Sequence, residues 1–163
     1  MTDIALVALG PGALALTHRP KRTALATWKA VGVSHVVTLL AEREGARDVG
    51  AAAARAGLDW IWVPLANAGI PDDSETRRLL PAIDQVVDVL KHGARVVIHC
   101  SAGIHRTGMF GYAVLRRFGL SADDARAKLL ALRGVTADGV GDERLHWGDQ
   151  VAALAASEVG DAG

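Results

Sequence analysis

The sequence predicts an α/β domain: a central, mostly parallel sheet flanked by helices. Three observations lead there. Short apolar, β-branched runs alternate along the chain with longer amphipathic or alanine-rich segments. One of the runs, ARVVIHC (94–100), is apolar on consecutive residues rather than on every second one, as a strand buried on both faces in a parallel sheet requires. Glycines close several of the helical segments.

In chain order, IALVAL (4–9) reads as a short buried strand stopped by Gly10-Pro11-Gly12. Residues 22–31 form a helix with Leu25, Trp28 and Val31 on one face and Gly32 as its stop. SHVVTLLA (34–41) is a strand by its β-branched content. Alanine-rich residues 46–56, closed by Gly57, form a helix, and DWIWVPL (59–65) a further strand. After the loop NAGIPDDS, Leu79, Leu80, Ile83, Val86, Val87 and Leu90 mark one face of a helix, with Pro81 in its first turn or kinking it. ARVVIHC (94–100) is a fully apolar strand, followed by a helix over 106–118 that ends at Gly119. Ser121 caps the next helix, with Asp124 three residues on, running to about Arg133; a last helix covers 142–157. One domain over 1–163 is expected, with a flexible tail at about 157–163.

Composition narrows the function classes. Lysine plus arginine equals aspartate plus glutamate at 18 each, so the formal net charge is zero. That balance points to neither a nucleic-acid nor a membrane partner. The single cysteine, Cys100, excludes an internal disulfide and suits a reducing, cytoplasmic compartment. The N-terminus has no basic segment ahead of an apolar stretch, so it does not read as a signal peptide.

The chemistry concentrates at Cys100, where a strand gives way to a turn and then a helix. Ligands of such sheets bind beyond the carboxyl ends of strands. Backbone N–H groups of Ser101, Ala102, Gly103, Ile104, His105 and Arg106 can converge as an anion nest, reinforced by the positive end of the following helix. The planar fork of Arg106 can hold two phosphate oxygens. Helix N-termini and nearby cations lower thiol pKa values to roughly 3.5–7.5 in general. Such a loop both binds a phosphoryl group and aims a nucleophile at it.

The full run His99-Cys100-Ser101-Ala102-Gly103-Ile104-His105-Arg106-Thr107-Gly108 has the pattern H-C-x-x-G-x-x-R-[ST]-G. It resembles the signature loop of the protein tyrosine phosphatase superfamily. Ala8–Gly12, the strand entry at 32–37, VPLANAGIPDD and LRG at 132–134 are similar to small dual-specificity phosphatases, most of all the kinase-associated and phosphatase-and-tensin branch. The resemblance covers most of residues 4–155. It implies a cysteine-dependent phosphatase acting on phosphotyrosine, with phosphoserine and phosphothreonine as further substrates. Cys100 would form a cysteinyl-phosphate, Arg106 would bind the phosphoryl oxygens, Thr107 would hydrogen-bond the sulfur, and His99 would fix the local backbone. No metal and no cofactor is implied; the partner is a phosphorylated protein or a small phosphoester.

The sequence departs from the family at the general acid. The aspartate expected after Pro64-Leu65-Ala66 is replaced by Asn67, which is no Brønsted acid. Asp72 is the expected acid and Asp73 the alternative, with helix capping as the competing role for both. His18 and Arg19 are candidates for the mouth of the site. Asp138 and Gln150 read as surface residues, Trp60 and Trp62 as core and its edge, and Arg77, Arg78, Arg116 and Arg117 as solvated helix-face charges. Other readings are an inositol-phosphate phosphatase of the same mechanism, a catalytically weak phospho-binding module, and a rhodanese-like sulfurtransferase. The loop lacks lysines, which argues modestly against very highly charged substrates.

Overall fold

A computed structural model describes residues 3–155. The expected tail at about 157–163 lies outside the described residues, as does the end of the last predicted helix. Five strands form one sheet: β1 (Val7–Leu9), β2 (Gly12–Thr17), β3 (His35–Thr38), β4 (Asp59–Trp62) and β5 (Arg95–His99), in the order β1-β2-β5-β3-β4. All neighbours are parallel except the β1–β2 hairpin. The helices are α1 (Ala24–Ala30), α2 (Ala46–Ala56), α3 (Asp73–Lys91), α4 (His105–Phe118), α5 (Ala122–Leu132), α6 (Gly134–Gly139) and α7 (Asp142–Ala152), with a short 3-10 turn at Glu42–Glu44.

The two-residue side-chain period of a strand divides the core cleanly. Leu14, Leu16, Val37, Val96 and Ile98 pack with α3, α4, α5 and α7, while Ala15, Val36 and Val97 face α1 and α2. Both faces of the central strands are covered, which is why apolar residues run consecutively through their middles, as in Ala13–Leu16, Val36-Val37 and Val96–Ile98.

Several elements differ from the sequence expectation. The 4–9 strand shortens to Val7–Leu9, and Gly10-Pro11 turns it into β2, an unanticipated strand buried along its whole length. Val31 is the C-cap of α1 and 42% exposed, so the buried anchors of that helix are Leu25 and Trp28. Pro81 lies well inside α3, beyond its first turn. Helix α6 was not anticipated, and α7 ends at Ala152. Arg116 and Arg117 are not solvated charges. Arg116 pairs with Asp149 at 2.9 Å; Arg117 pairs with Asp84 at 2.9 Å and reaches the Val151 carbonyl. Both tie α4 to the chain around α7.

Three strands finish in one row. Thr17 and Thr38 both lie opposite His99, so β2, β5 and β3 stop together at the carboxyl edge of the sheet. Cys100 is the first residue beyond that edge.

Candidate active site

Residues 100–104 leave the end of β5 and curl into the start of α4. What shapes the loop is the fate of its carbonyls. The His99 carbonyl accepts from Leu39 N at 3.0 Å, and that of Ser101 from Arg19 N at 2.8 Å. Cys100 O faces His99 Nδ1 at 3.1 Å. Gly103 O accepts from Arg133 Nη1 at 2.8 Å and from the Thr136 hydroxyl, and Ile104 O from Gly108 N at 2.8 Å. In a planar trans peptide the N–H points opposite to the C=O. Anchoring the carbonyls outward therefore turns the following amides toward the loop's centre, the arrangement an anion nest requires. Gly103 makes the curl possible. Its φ is +73°, and a Cβ there would stand 2.4 Å from the Thr17 carbonyl oxygen.

Cys100 lies at the base of this cup, 3% exposed. Its sulfur accepts the Gly103 N–H at 3.2 Å and the Thr107 hydroxyl at 3.0 Å. Thr107 is fully buried in the first turn of α4, so its hydroxyl has a fixed direction.

Arg106 is oriented by a residue that sequence reasoning missed. Glu44 binds it end-on, Oε2 to Nη1 at 2.7 Å and Oε1 to Nη2 at 3.0 Å, and Leu65 O takes Nη1 at 3.0 Å. A guanidinium carries five N–H groups. With these three engaged, the remaining pair lies along the Nε–Nη2 edge, a fork matched to two phosphate oxygens. The hydrogen bond from Arg106 is the main cause that holds the Glu44 carboxyl at a pKa of about 2, against the opposing effect of burial. The same bond raises the Arg106 pKa, and the neighbouring Cys100 sulfur adds to that rise.

His99 is fully buried, and burial chiefly pushes its pKa down to about 4. It is therefore neutral at pH 7. Its Nδ1 faces a carbonyl, which can only accept, so Nδ1 carries the proton and Nε2 does not.

The structure thus brings together Cys100, Arg106, Thr107, His99 and the backbone of Ser101, Ala102, Gly103, Ile104 and His105. Asp72 is the N-cap of α3, its Oδ1 accepting from Glu75 N at 2.8 Å, and Asp73 is the first residue of that helix. Asn67 Oδ1 accepts the Gly69 N–H at 2.8 Å, shaping the 64–72 loop. That loop and Ala41 line an open groove that includes Asp72. Arg19 meets the 100–104 loop through its backbone, while its guanidinium binds the Glu44 and Gly45 carbonyls. Arg133 entered the sequence reading only through the LRG resemblance. Glu44 carried no signal of its own, because Glu42-Arg43-Glu44 looks like any solvated charge run. Among the described residues no cluster of three histidine, cysteine, aspartate or glutamate side chains could hold a metal ion, and no helix is long and apolar enough to cross a membrane.

A family model described as PTP-SAK, "Swiss Army Knife protein, DSP-PTPase phosphatase domain", matches residues 5–147. No curated protein sequence matches the chain. Among solved structures, the fold is similar to kinase-associated phosphatase with its catalytic cysteine replaced by serine, at TM-score 0.69 and 17% identity over 95% of this chain and 99% of that one. It is similar to PTPMT1 at TM-score 0.70 and 17% identity, over 91% and 94% of the two chains. It also resembles TpbA of P. aeruginosa in complex with phosphotyrosine, at TM-score 0.59 and 20% identity over 96% and 88%. At these identities the likeness speaks for the fold.

Proposed function

Because the chain belongs to the PTP-SAK family of dual-specificity-type phosphatase domains and is a cysteine-dependent phosphatase, we propose that it hydrolyses phosphotyrosyl esters of proteins through a cysteinyl-phosphate, and phosphoseryl and phosphothreonyl esters as well. The observation that supports the reading is that the Cys100 sulfur accepts from the Gly103 N–H and the Thr107 hydroxyl while Arg106, clamped by Glu44, neighbours the same sulfur.

In the first step, the Cys100 thiolate attacks phosphorus in line with the ester oxygen. The S–P bond forms as the P–O bond breaks, and the departing oxygen takes a proton from a general acid. Amides and guanidinium hold the charge on the three equatorial oxygens. In the second step, water attacks the cysteinyl-phosphate and releases inorganic phosphate. Sulfur leaves as a thiolate stabilised by the Thr107 hydroxyl and the Gly103 N–H. Asp72 is the acid in this reading and Asp73 the alternative. Capping occupies only Oδ1 of Asp72, so a proton on Oδ2 is compatible with it.

The absence of lysine from residues 101–105 supports a phosphotyrosyl peptide over an inositol polyphosphate. The sole thiol suits a reducing cytoplasm. The test is phosphate release from a phosphotyrosyl peptide, phosphoseryl and phosphothreonyl peptides and an inositol polyphosphate, with Cys100→Ser as the blank. Turnover of the inositol polyphosphate alone would overturn the substrate assignment. Asp72→Asn should slow aryl phosphates with a high leaving-group pKa by about 10²-fold or more and spare activated ones. If neither Asp72→Asn nor Asp73→Asn alters the pH profile, the acid lies elsewhere.

A further inference from the structure

Behind the phosphate loop runs a line of buried polar contacts that the two chemical steps leave unused. Trp60 of β4 donates its indole N–H to Thr38 Oγ1 at 2.8 Å. Thr38 Oγ1 lies 2.8 Å from His99 Nε2, and His99 Nδ1 lies 3.1 Å from Cys100 O. Thr38 and His99 are both fully buried. The three side chains stand on the α1/α2 face of the sheet: Thr38 is two residues from Val36, and His99 two from Val97.

Chemistry sets the direction of every link. An indole nitrogen only donates, so Thr38 Oγ1 accepts from Trp60. Because Nδ1 carries the His99 proton, Nε2 is an acceptor, and the single Thr38 hydroxyl hydrogen points at it. The chain of donors runs one way, from Trp60 through Thr38 and His99 to the Cys100 carbonyl. Helix α2 makes room for its first member. A Cβ on Gly50 would stand 2.7 Å from the Trp60 ring, so the helix carries a glycine there although alanine is the better helix former.

We propose that Thr38 and Trp60 are positioning residues that, together with the Cys100 carbonyl, hold His99 in its Nδ1–H form and thereby keep the Cys100–Ser101 peptide with the Ser101 amide facing the substrate phosphate. The proposal rests on the reading of the loop as the phosphoryl site. Its first readout, however, is the histidine ring itself, which reports whether or not a substrate is turned over.

The test uses the full chain, labelled with 15N, as wild type, Thr38→Val, Thr38→Ser, Trp60→Phe and Gly50→Ala. Long-range proton–nitrogen correlations of the His99 ring are recorded at neutral pH. They are set beside kcat/KM for an activated aryl phosphate and inhibition by inorganic phosphate. The wild type should show Nδ1 protonated and Nε2 as an acceptor. Thr38→Val should admit the Nε2–H form and lower kcat/KM about tenfold, the worth of one buried hydrogen bond, with phosphate inhibition weakened in step. Thr38→Ser should restore all three readouts. Trp60→Phe and Gly50→Ala, which act from the far end, should give smaller losses of the same kind. The proposal is overturned if Thr38→Val keeps the wild-type ring form, if its kcat/KM stays within twofold of wild type, or if serine fails to restore what valine loses. Should Thr38→Val not fold, Trp60→Phe decides: an unchanged ring signal and unchanged turnover reject the chain.

Discussion

Replacing Glu44 with glutamine leaves a side chain of the same shape and removes the charge that orients Arg106. The carboxylate makes two contacts with the guanidinium, at 2.7 and 3.0 Å, and accepts the Ala41 N–H at 2.8 Å. A glutamine amide would set an NH2 group against one of the guanidinium nitrogens, so one fork contact becomes donor against donor. The Glu44 carboxyl, by contrast, has its pKa lowered from 4.5 to about 2, chiefly by the hydrogen bond from Arg106. At about 1.4 kcal/mol per tenfold in proton affinity, that is roughly 3 kcal/mol of preference for the ionised state. The Glu44 side chain is 26% exposed, and solvent screening together with the Ala41 contribution reduces the Arg106 share to about 1–2 kcal/mol. Glu44→Gln should therefore lower stability at pH 7 by about 1–2 kcal/mol and kcat/KM by about 10- to 30-fold, with kcat falling in step. The sign of the pH dependence follows from the lowered pKa. The contribution is present above pH 4.5 and lost as pH falls toward 2, so the gap between the two proteins should close in acid. Urea unfolding at pH 7, 4 and 2.5, with kinetics on an aryl phosphate, measures both. A stability gap that is the same at every pH, or a kcat/KM within twofold of wild type, would refute the reasoning.

Three further outcomes are expected. Gly103→Ala places a methyl group 2.4 Å from the Thr17 carbonyl oxygen at a φ of +73°, and should cost about 2–3 kcal/mol or more and abolish phosphate inhibition; near-normal inhibition would show that the loop relaxes freely. The His99 pKa, about 4 in the folded protein against 6.5 for a free ring, makes stability highest above pH 6.5 and reduces it by about 3 kcal/mol in total as pH drops to 4; a ring titration midpoint near 6.5 would contradict this. Thr107→Val removes the hydroxyl that lies 3.0 Å from the Cys100 sulfur; it should slow breakdown of the proposed cysteinyl-phosphate more than its formation, and rapid quench with a good leaving group should show a larger burst. A burst unchanged in size would assign Thr107 to packing alone.

The parts of the fold visible in the sequence were those whose signal is local. Helix α2 could be bounded to the residue because its alanines run up to Gly57, and the Ser121 cap accepts from Asp124 N as the spacing implied. Strand β2 was hidden because Gly10-Pro11-Gly12 works equally well as a terminator and as a hairpin turn; only the partner strand distinguishes the two. The same division holds at the site. Cys100, Arg106 and Thr107 are fixed by spacing within one turn and one helix. Glu44 lies 62 residues from Arg106, and Thr136 lies 33 from Gly103. Nothing in their own surroundings announces those partners. Arg116 and Arg117 were misread for the same reason, since their carboxylates come from other helices.

The outward tethers of the 100–104 loop have a kinetic corollary. Its carbonyls are gripped from the ends of β2 and β3, from Arg133 and Thr136, and from its own helix. Closing such distant contacts is slow relative to forming helices. A peptide spanning only β5 and α4 should thus have no affinity for phosphate, and during refolding turnover should recover last, after helical circular dichroism has returned.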